Sequence, residues 1–408
     1  MRILLLNSVY REGSTGKIVA SIGDVLRSQG HEVLTCYGLG EHHIDVFSKR
    51  VCTDLEHYFN AIWSRISGIP YGGLFFSNWR IKQIIRQFQP DVVHVHCVNA
   101  STMNVYSLLK YLAKKGIKTV LTLHAEIFHT AGCSHAYECT KWIDGCHDCE
   151  FYKQRVFSWF FDRSETSYRK MYEAVNAFRK DKLAVTAVSP WLADRAKRSS
   201  IMKHYDVLYV PNGVDTSVFY YKKNKGLIER GQFKKVILFV TPYFGMEETD
   251  VKGGRYLADI AFQLSNFLFV VVATTVSKSL PKLPVNVCLW GRAKSQGELV
   301  QLYSEADVTL LLSQRETFSM VTAESLCCGT PIIGFIAGGP ESIALKDYSK
   351  FVEYGNILKL IDALDTGFSP KIKKKDIALI SSRAYSSEYC ANLFLKYILI
   401  NEGFSNYA

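Results

Sequence analysis

At 408 residues the chain has room for two domains of roughly 100–200 residues each. With 48% hydrophobic and 21% charged residues its composition is globular, which excludes disorder as the default state. Forty-nine Lys and Arg against 38 Asp and Glu give a net charge of +11, a balance that attracts nucleic acid, anionic lipid surfaces or phosphorylated small molecules.

The longest basic run, Lys371–Lys375, reads as a short solvated loop, so a dedicated nucleic-acid-binding protein is not expected. Met1–Asn7 lacks the longer apolar region and small-residue cleavage site of a signal peptide. Phe267–Val276 falls short of the about 20 apolar residues of a membrane span. The expected location is the cytoplasm, with peripheral contact to the inner face of the plasma membrane. In that reducing compartment the eleven cysteines are thiols or metal ligands rather than disulfides.

In chain order, Arg2–Asn7 reads as a buried strand. Ser14–Gln29 follows as a helix with Ile18, Ile22, Val25 and Leu26 on one face. Val92–His96, Thr119–Leu123 and Leu183–Val188 are further buried strands. The pattern restarts near Lys235 with strands at Val236–Val240, Phe267–Thr274, Val285–Trp290, Val308–Leu312 and Pro331–Ile336. Helices fall near Gly254–Gln263, Gly297–Ser304 and Thr322–Cys328, and Lys222–Gln232 reads as a polar loop. Short apolar strands separated by helices imply parallel sheets covered on both faces. The predicted class is therefore α/β with two doubly wound halves. Their boundaries are 1–213, 214–381 and a helical tail, 382–408, packing back on the first half.

Open parallel sheets bind ligands at the carboxyl ends of their strands. After the first strand, Gly13-Ser14-Thr15-Gly16-Lys17 opens a helix, where free N–H groups and the helix dipole suit a phosphate; a simple tight turn is the alternative. His124 ends the Thr119–Leu123 strand and faces the expected cleft. His94 and His96 share one face of their strand, so at least one of them is structural. Lys252-Gly253-Gly254 follows the first strand of the second half and offers a point charge with room for backbone to approach. Glu316 and Glu324 flank a helix start at Phe318-Ser319-Met320, where two carboxylates and unpaired N–H groups suit sugar hydroxyls and a diphosphate. Two solvated acids beside an ordinary helix are the alternative there.

The segment Glu316–Pro331, E-T-F-S-M-V-T-A-E-S-L-C-C-G-T-P, resembles the E-x7-E signature of glycosyltransferase family 4. Further similar segments occur in the right order: the Gly13–Lys17 loop, V-V-H-V-H around His94, T-L-H ending at His124, V-S-P-W-L-A from Val188, P-N-G-V-D from Pro211, Lys252-Gly253 and A-G-G-P-E from Ala337. The resemblance implies a GT-B fold, two Rossmann-like domains facing a central cleft. It also implies a nucleotide-sugar donor (UDP- or GDP-linked), retention at the anomeric carbon, and no cofactor for catalysis. Carried over residue by residue, it implies that Glu324 binds the donor ribose and Glu316 the transferred sugar. The amides of Phe318, Ser319 and Met320 would hold sugar and diphosphate, with Lys252 neutralising the leaving group. Gly13 and Gly16 would admit the distal phosphate, and His124 would lie near the sugar.

Two departures stand out. The Arg that such proteins carry several residues before the Lys is missing from Thr241–Val251, leaving Arg255 and Arg292 as substitutes. The Asp that often follows the strand-end His is Ala125, with Glu126 adjacent.

A Cys-rich insert, 129–150, is similar to one in a subset of bacterial capsule, exopolysaccharide and O-antigen transferases. Cys133, Cys139, Cys146 and Cys149 are spaced C-x5-C-x6-C-x2-C. Four such thiolates suit a tetrahedral structural zinc, with free thiols as the alternative. Phe151–Lys180 mixes aromatics with bases and reads as a helix fit for an anionic membrane. His57–Lys82, with Trp63, Phe75, Phe76 and Trp79, has the same character; packing against the first sheet is the alternative for these aromatics. The reading is hexosyl transfer from a nucleotide sugar to a polyprenyl-diphosphate-linked glycan at an anionic membrane surface. The alternatives are a transferase with a small soluble acceptor, and a zinc-containing nucleic-acid or regulatory protein on a transferase scaffold.

Overall fold

The computed structural model describes residues 1–73, 76–223, 225–368 and 373–400. Phe75, Asn401 and the first two residues of the Lys371–Lys375 run lie outside them. The chain divides into two compact units: Met1–Gly213 together with the stretch from Cys390, and Val214–Tyr389.

The first unit holds strands β1 (Arg2–Val9), β2 (Glu32–Leu39), β3 (Ser48–Arg50), β4 (Val92–Val95), β5 (Lys118–Leu123), β6 (Leu183–Ala187) and β7 (Val207–Tyr209). They form one parallel sheet in the order β3-β2-β1-β4-β5-β6-β7. Its helices are α1 (Gly13–Ser28), α2 (Asp54–Ser67), α3 (Phe76–Phe88), α4 (Val105–Lys114), α5 (Ile127–Thr130), α6 (Tyr152–Arg155), α7 (Ser164–Val175) and α8 (Pro190–Arg198). β1 reads R-I-L-L-L-N-S-V, with Ile3 to Leu6 fully buried. That run is what a central strand covered on both faces requires. The strand order reverses between β1 and β4, and the first of these leads into the Gly13–Lys17 loop.

The second unit holds β8 (Lys235–Phe244), β9 (Phe267–Val276), β10 (Val287–Gly291), β11 (Val308–Leu311), β12 (Ile332–Phe335) and β13 (Ser349–Val352). They are ordered β10-β9-β8-β11-β12-β13, again with every pairing parallel. Around them lie α9 (Gly254–Gln263), α10 (Gln296–Glu305), α11 (Met320–Cys327), α12 (Gly339–Ile343), α13 (Ile357–Thr366) and α14 (Lys374–Tyr385). One core of Ile237, Phe239, Phe269, Leu310, Ile333 and their neighbours fills the space between sheet and helices. Here the order reverses between β8 and β11. The last helix, α15 (Ser387–Ile400), starts in this unit and crosses the division at Cys390.

Three expectations are corrected. Phe151–Lys180 is not one helix: α6 ends at Arg155, Phe157 takes a left-handed φ of 60°, and α7 begins only at Ser164. The tail from Ser382 breaks at Ser386 into α14 and α15. Lys374 is no solvated loop residue. Its ammonium donates to the carbonyls of Ser304 (2.7 Å) and Ala306 at the end of α10, and burial pushes it down to about 8.

Candidate active site

In the second unit the residues after β8 and β11 meet at the point where the strand order reverses, the place where open α/β sheets bind ligands. Asp250 organises the first side. Its carboxylate accepts from the amides of Lys252 (2.9 Å) and Gly254 (3.0 Å), which sets the turn into α9. Gly253 sits at φ 78°, and a Cβ there would stand 2.2 Å from the carbonyl oxygen of Leu312. Only glycine lets the lysine loop close against the end of β11. The Gln314 amide donates to the Val251 carbonyl at 2.8 Å and completes the closure. Lys252 is thereby delivered to Glu316, Nζ to Oε1 2.5 Å, with Ser313 Oγ donating to the same oxygen at 3.0 Å.

The backbone of Glu316 is pinned in turn. Its amide donates to the Ala337 carbonyl (3.0 Å) and its carbonyl accepts from Gly339 (2.8 Å). A Cβ on Gly339 would lie 2.4 Å from Thr317 and 2.6 Å from the Phe318 nitrogen. Glu341 caps this second turn by accepting from the amides of Ala337 (3.1 Å) and Gly338 (2.7 Å). Phe318 is buried with its ring edge-on to Tyr385, so it offers backbone rather than side chain.

Ser319 takes φ 76° and its hydroxyl accepts from the Thr322 amide at 3.3 Å, capping α11. Met320 is the first residue of that helix, whose opening amides have no partner within the helix. Glu324 stands one turn on, half-buried, and accepts from the Tyr303 hydroxyl at 3.3 Å. Burial, with the Glu324 charge beside it, pushes that phenol well above its usual range.

In the first unit Gly13 is the first residue of α1, and Gly16 is buried beside Val9 at the end of β1. His96 and His124 follow β4 and β5, with His96 Nδ1 3.1 Å from His124 Nε2. Burial pushes His124 down to about 4, and His94 and His96 fall well below the ordinary range for the same reason. His94 is structural: its ring lies flat on Phe394 of α15, centroids 4.1 Å apart, and its Nε2 meets Thr122 Oγ1 at 2.7 Å.

Glu126 is fully buried beneath the Cys-rich insert. It accepts from Arg195 Nε (2.6 Å) and the Ala136 amide (2.7 Å), and lies 3.4 Å from His129. Burial would raise its carboxyl, but His129, Arg195 and the Ala136 amide together hold it at about 2. It therefore braces the insert, with Trp142 packed under Arg195 and against His129.

Cys133, Cys139, Cys146 and Cys149 of the expected zinc site lie near enough for each thiolate's charge to oppose its neighbours'. Among the described residues no group of three or more His, Cys, Asp and Glu side chains is arranged to hold a metal. Cys146 instead donates to the Thr130 carbonyl at 3.4 Å, and burial pushes the Cys133 thiol up to about 12. Its proton would have to be lost before it could bind a metal.

The structure brings Lys252, Glu316, Phe318, Ser319, Met320 and Glu324 into one group within the second unit. Gly13, Gly16 and His124 stand at strand ends of the first. Arg292 lies exposed one residue past edge strand β10, two strands out from β8. Arg255 is held by the hydroxyls of Tyr256 (3.0 Å) and Tyr354 (3.3 Å). Sequence reasoning missed Asp250, Ser313, Tyr303 and Arg195. For Asp250 a signal existed in D-V-K-G-G, an acid two residues before the amide it accepts from. Ser313 acts on Glu316 three residues away, while Tyr303 and Arg195 act across the fold and carry no local mark.

Residues 15–218 match the family model described as Glycosyltransferase Family 4, and residues 278–377 match that of Glycosyl transferases group 1. N-acetyl-alpha-D-glucosaminyl L-malate synthase of Bacillus anthracis is 22% identical over 366 residues, covering 86% of this chain and 83% of that protein. Among solved structures, sucrose-phosphate synthase from Thermosynechococcus elongatus superposes with a TM-score of 0.68 at 14% identity, covering 99% of this chain and 100% of that one. HepE of Anabaena in complex with UDP gives 0.65 at 13% identity, covering 98% and 100%. A glycosyltransferase from Rickettsia africae gives 0.66 at 15% identity, covering 99% of each chain. The fold is that of the GT-B glycosyltransferases, two parallel-sheet α/β domains, and the chain belongs to glycosyltransferase family 4.

Proposed function

We propose that the protein moves a hexosyl unit from a UDP- or GDP-sugar, with retention, to a polyprenyl-diphosphate-linked precursor of a capsule, exopolysaccharide or O-antigen. It would work from the cytoplasm at an anionic membrane surface. In this reading the Val214–Tyr389 unit binds the donor and the Met1–Gly213 unit the acceptor. The carrying observation is the Lys252–Glu316 ion pair at the head of α11, at the sheet's reversal point. Before the donor arrives Glu316 keeps Lys252 extended and neutralised. A bound diphosphate then competes for the ammonium, which frees Glu316 for a sugar hydroxyl.

As the bond to the anomeric carbon lengthens, charge gathers on the leaving diphosphate. Lys252 and the first amides of α11 are already placed to meet it, and such preorganised charge stabilises a transition state. Glu324 would take the ribose hydroxyls, and Gly13 and Gly16 would let backbone approach the distal phosphate. His124, kept neutral by burial, would serve the sugar as a hydrogen-bonding group rather than a cation. No protein nucleophile is assigned.

The test begins with a thermal-shift panel of nucleotides and nucleotide sugars, since a bound ligand raises the melting midpoint through linkage. Transfer and donor hydrolysis follow with the best donor. Glu324→Ala should lower turnover by orders of magnitude, and unchanged turnover would overturn the assignment. A second reading, a small soluble acceptor, draws on the name of the Bacillus anthracis relative, N-acetyl-alpha-D-glucosaminyl L-malate synthase. Transfer to soluble hydroxy acids, with none to lipid-linked acceptors, would favour it.

A further inference from the structure

Helix α2 is built the wrong way round for a water-facing helix. The residues it buries are polar, Glu56 and Asn60. Its exposed stripe is Leu55, Tyr58, Phe59, Trp63 and Ile66, which recur at three- and four-residue steps along one face. A surface helix of a globular protein normally does the reverse. Polar contacts hold this orientation: Glu56 accepts from the Ser77 amide (2.6 Å) and from Arg80 (2.7 Å).

The stripe continues onto the segment between α6 and α7. The Trp159 amide donates to the Arg65 carbonyl at 2.7 Å, at the end of α2, and the Arg65 guanidinium lies over the Trp159 ring. Trp159, Phe160 and Phe161 are all exposed, Phe160 at 62%. A hollow of about 360 Å³ between Trp63, Ile66, Phe161 and Arg163 joins the two pieces. Contiguous exposed apolar surface with a basic rim marks an interaction site.

At the other end of α2 lies a larger pocket of about 640 Å³, walled by His42, His43, Lys49, Arg50, Arg80 and Trp79. It is tied to the ridge through the first turn of α2. Arg50 pairs with Asp54 and Arg80 with Glu56, which leaves Lys49 without an ion pair among the described residues. Trp79 stands 60% exposed at the rim.

We propose that this face docks the enzyme on an anionic phospholipid bilayer, with the α2 and 159–161 aromatics entering the headgroup boundary and the pocket beside Trp79 taking a headgroup phosphate. Aromatics at the depth of the headgroups with cations beside them are the arrangement such surfaces bind. The proposal rests on the lipid-linked acceptor for its purpose, while vesicle binding and sugar transfer are measured separately.

The full chain is mixed with vesicles of phosphatidylcholine alone or with phosphatidylglycerol added, and binding is read by flotation and by the blue shift of tryptophan emission. The expected result is binding to the anionic vesicles roughly tenfold tighter than to the neutral ones. Trp63→Ser with Phe160→Ser should weaken binding at least about tenfold while melting temperature and donor hydrolysis stay as in the wild type. Lys49→Glu should remove the preference for the anionic lipid. Wild-type protein that leaves anionic vesicles unbound overturns the proposal, as does a ridge variant that binds like wild type. So does a concentration-dependent dimer, abolished by the ridge variant, in protein that ignores vesicles. Vesicle binding without transfer to lipid-linked acceptors would overturn the acceptor reading and leave the docking face standing.

Discussion

Replacing Glu126 tests whether the acid beside the strand-end histidine is a brace or a participant in the chemistry. The carboxylate is fully buried and held at about 2 against an ordinary 4.5. At about 1.4 kcal/mol per pH unit, that gap is worth about 3 kcal/mol as a ceiling. His129 is itself pushed below 6.5 by burial, so near neutrality it is uncharged and Arg195 is the charge that matters. A folded pKa below the unfolded one contributes stability that is present above 4.5 and lost as pH falls from 4.5 towards 2. Glu126→Ala leaves the partly buried Arg195 guanidinium without its carboxylate, a loss of up to about 3 kcal/mol. For a unit of this size that lowers the melting temperature by up to about 6–12 °C. The assay is thermal unfolding by circular dichroism between pH 2 and 8 for Glu126→Ala, Arg195→Met and the double variant. The double variant should be no worse than the worse single, because the two share one interaction. A single variant that melts within about 2 °C of wild type, with the wild-type acid profile, would refute the brace.

Lys252→Met should lower kcat/KM for donor hydrolysis by about 100- to 1000-fold, the usual loss for one preorganised charge at a leaving group; steady-state kinetics with the preferred donor check it. Gly253→Ala drives a Cβ into the Leu312 carbonyl at a left-handed φ, so a loss of about 1–3 kcal/mol of stability and of donor affinity is expected in denaturant unfolding and thermal-shift titration. His124, held neutral at about 4 against 6.5, costs nothing above pH 6.5, and that cost grows as pH falls to about 4, because the unfolded chain takes the proton first. His124→Phe should therefore flatten the acid limb of the stability profile, read by the same unfolding series.

Much of the two sheets is legible in the sequence, because central parallel strands are bare apolar runs. β1, β4, β5, β6, β8, β9, β11 and β12 all lie within or around expected segments. β2, β3, β7 and β13 were not foreseen: β3 and β7 have three residues each, β13 is partly buried throughout, and β2 interrupts its apolar run with Thr35 and Gly38. The donor-side residues were legible because glycine, lysine and glutamate follow strands at fixed points, where backbone geometry constrains the residue type. Their partners were not. Tyr303 and Arg195 are common residue types that acquire a role through tertiary contact alone, and Ser313 is a common residue type whose contact with Glu316 is local. Phe151–Lys180 misled because aromatics interleaved with bases look alike in a helix and in a bent segment docked on α2.

The stacking of Phe394 on His94 bears on how the polypeptide is made. The first 213 residues leave the ribosome early, yet their sheet keeps an imidazole in its interior whose cover arrives only with α15. Domains that emerge first usually finish folding first; here the stack that covers His94 forms only after synthesis has passed Phe394. A premature stop codon anywhere between the two units and Phe394 would therefore leave a nascent chain that chaperones or proteases meet as unfinished.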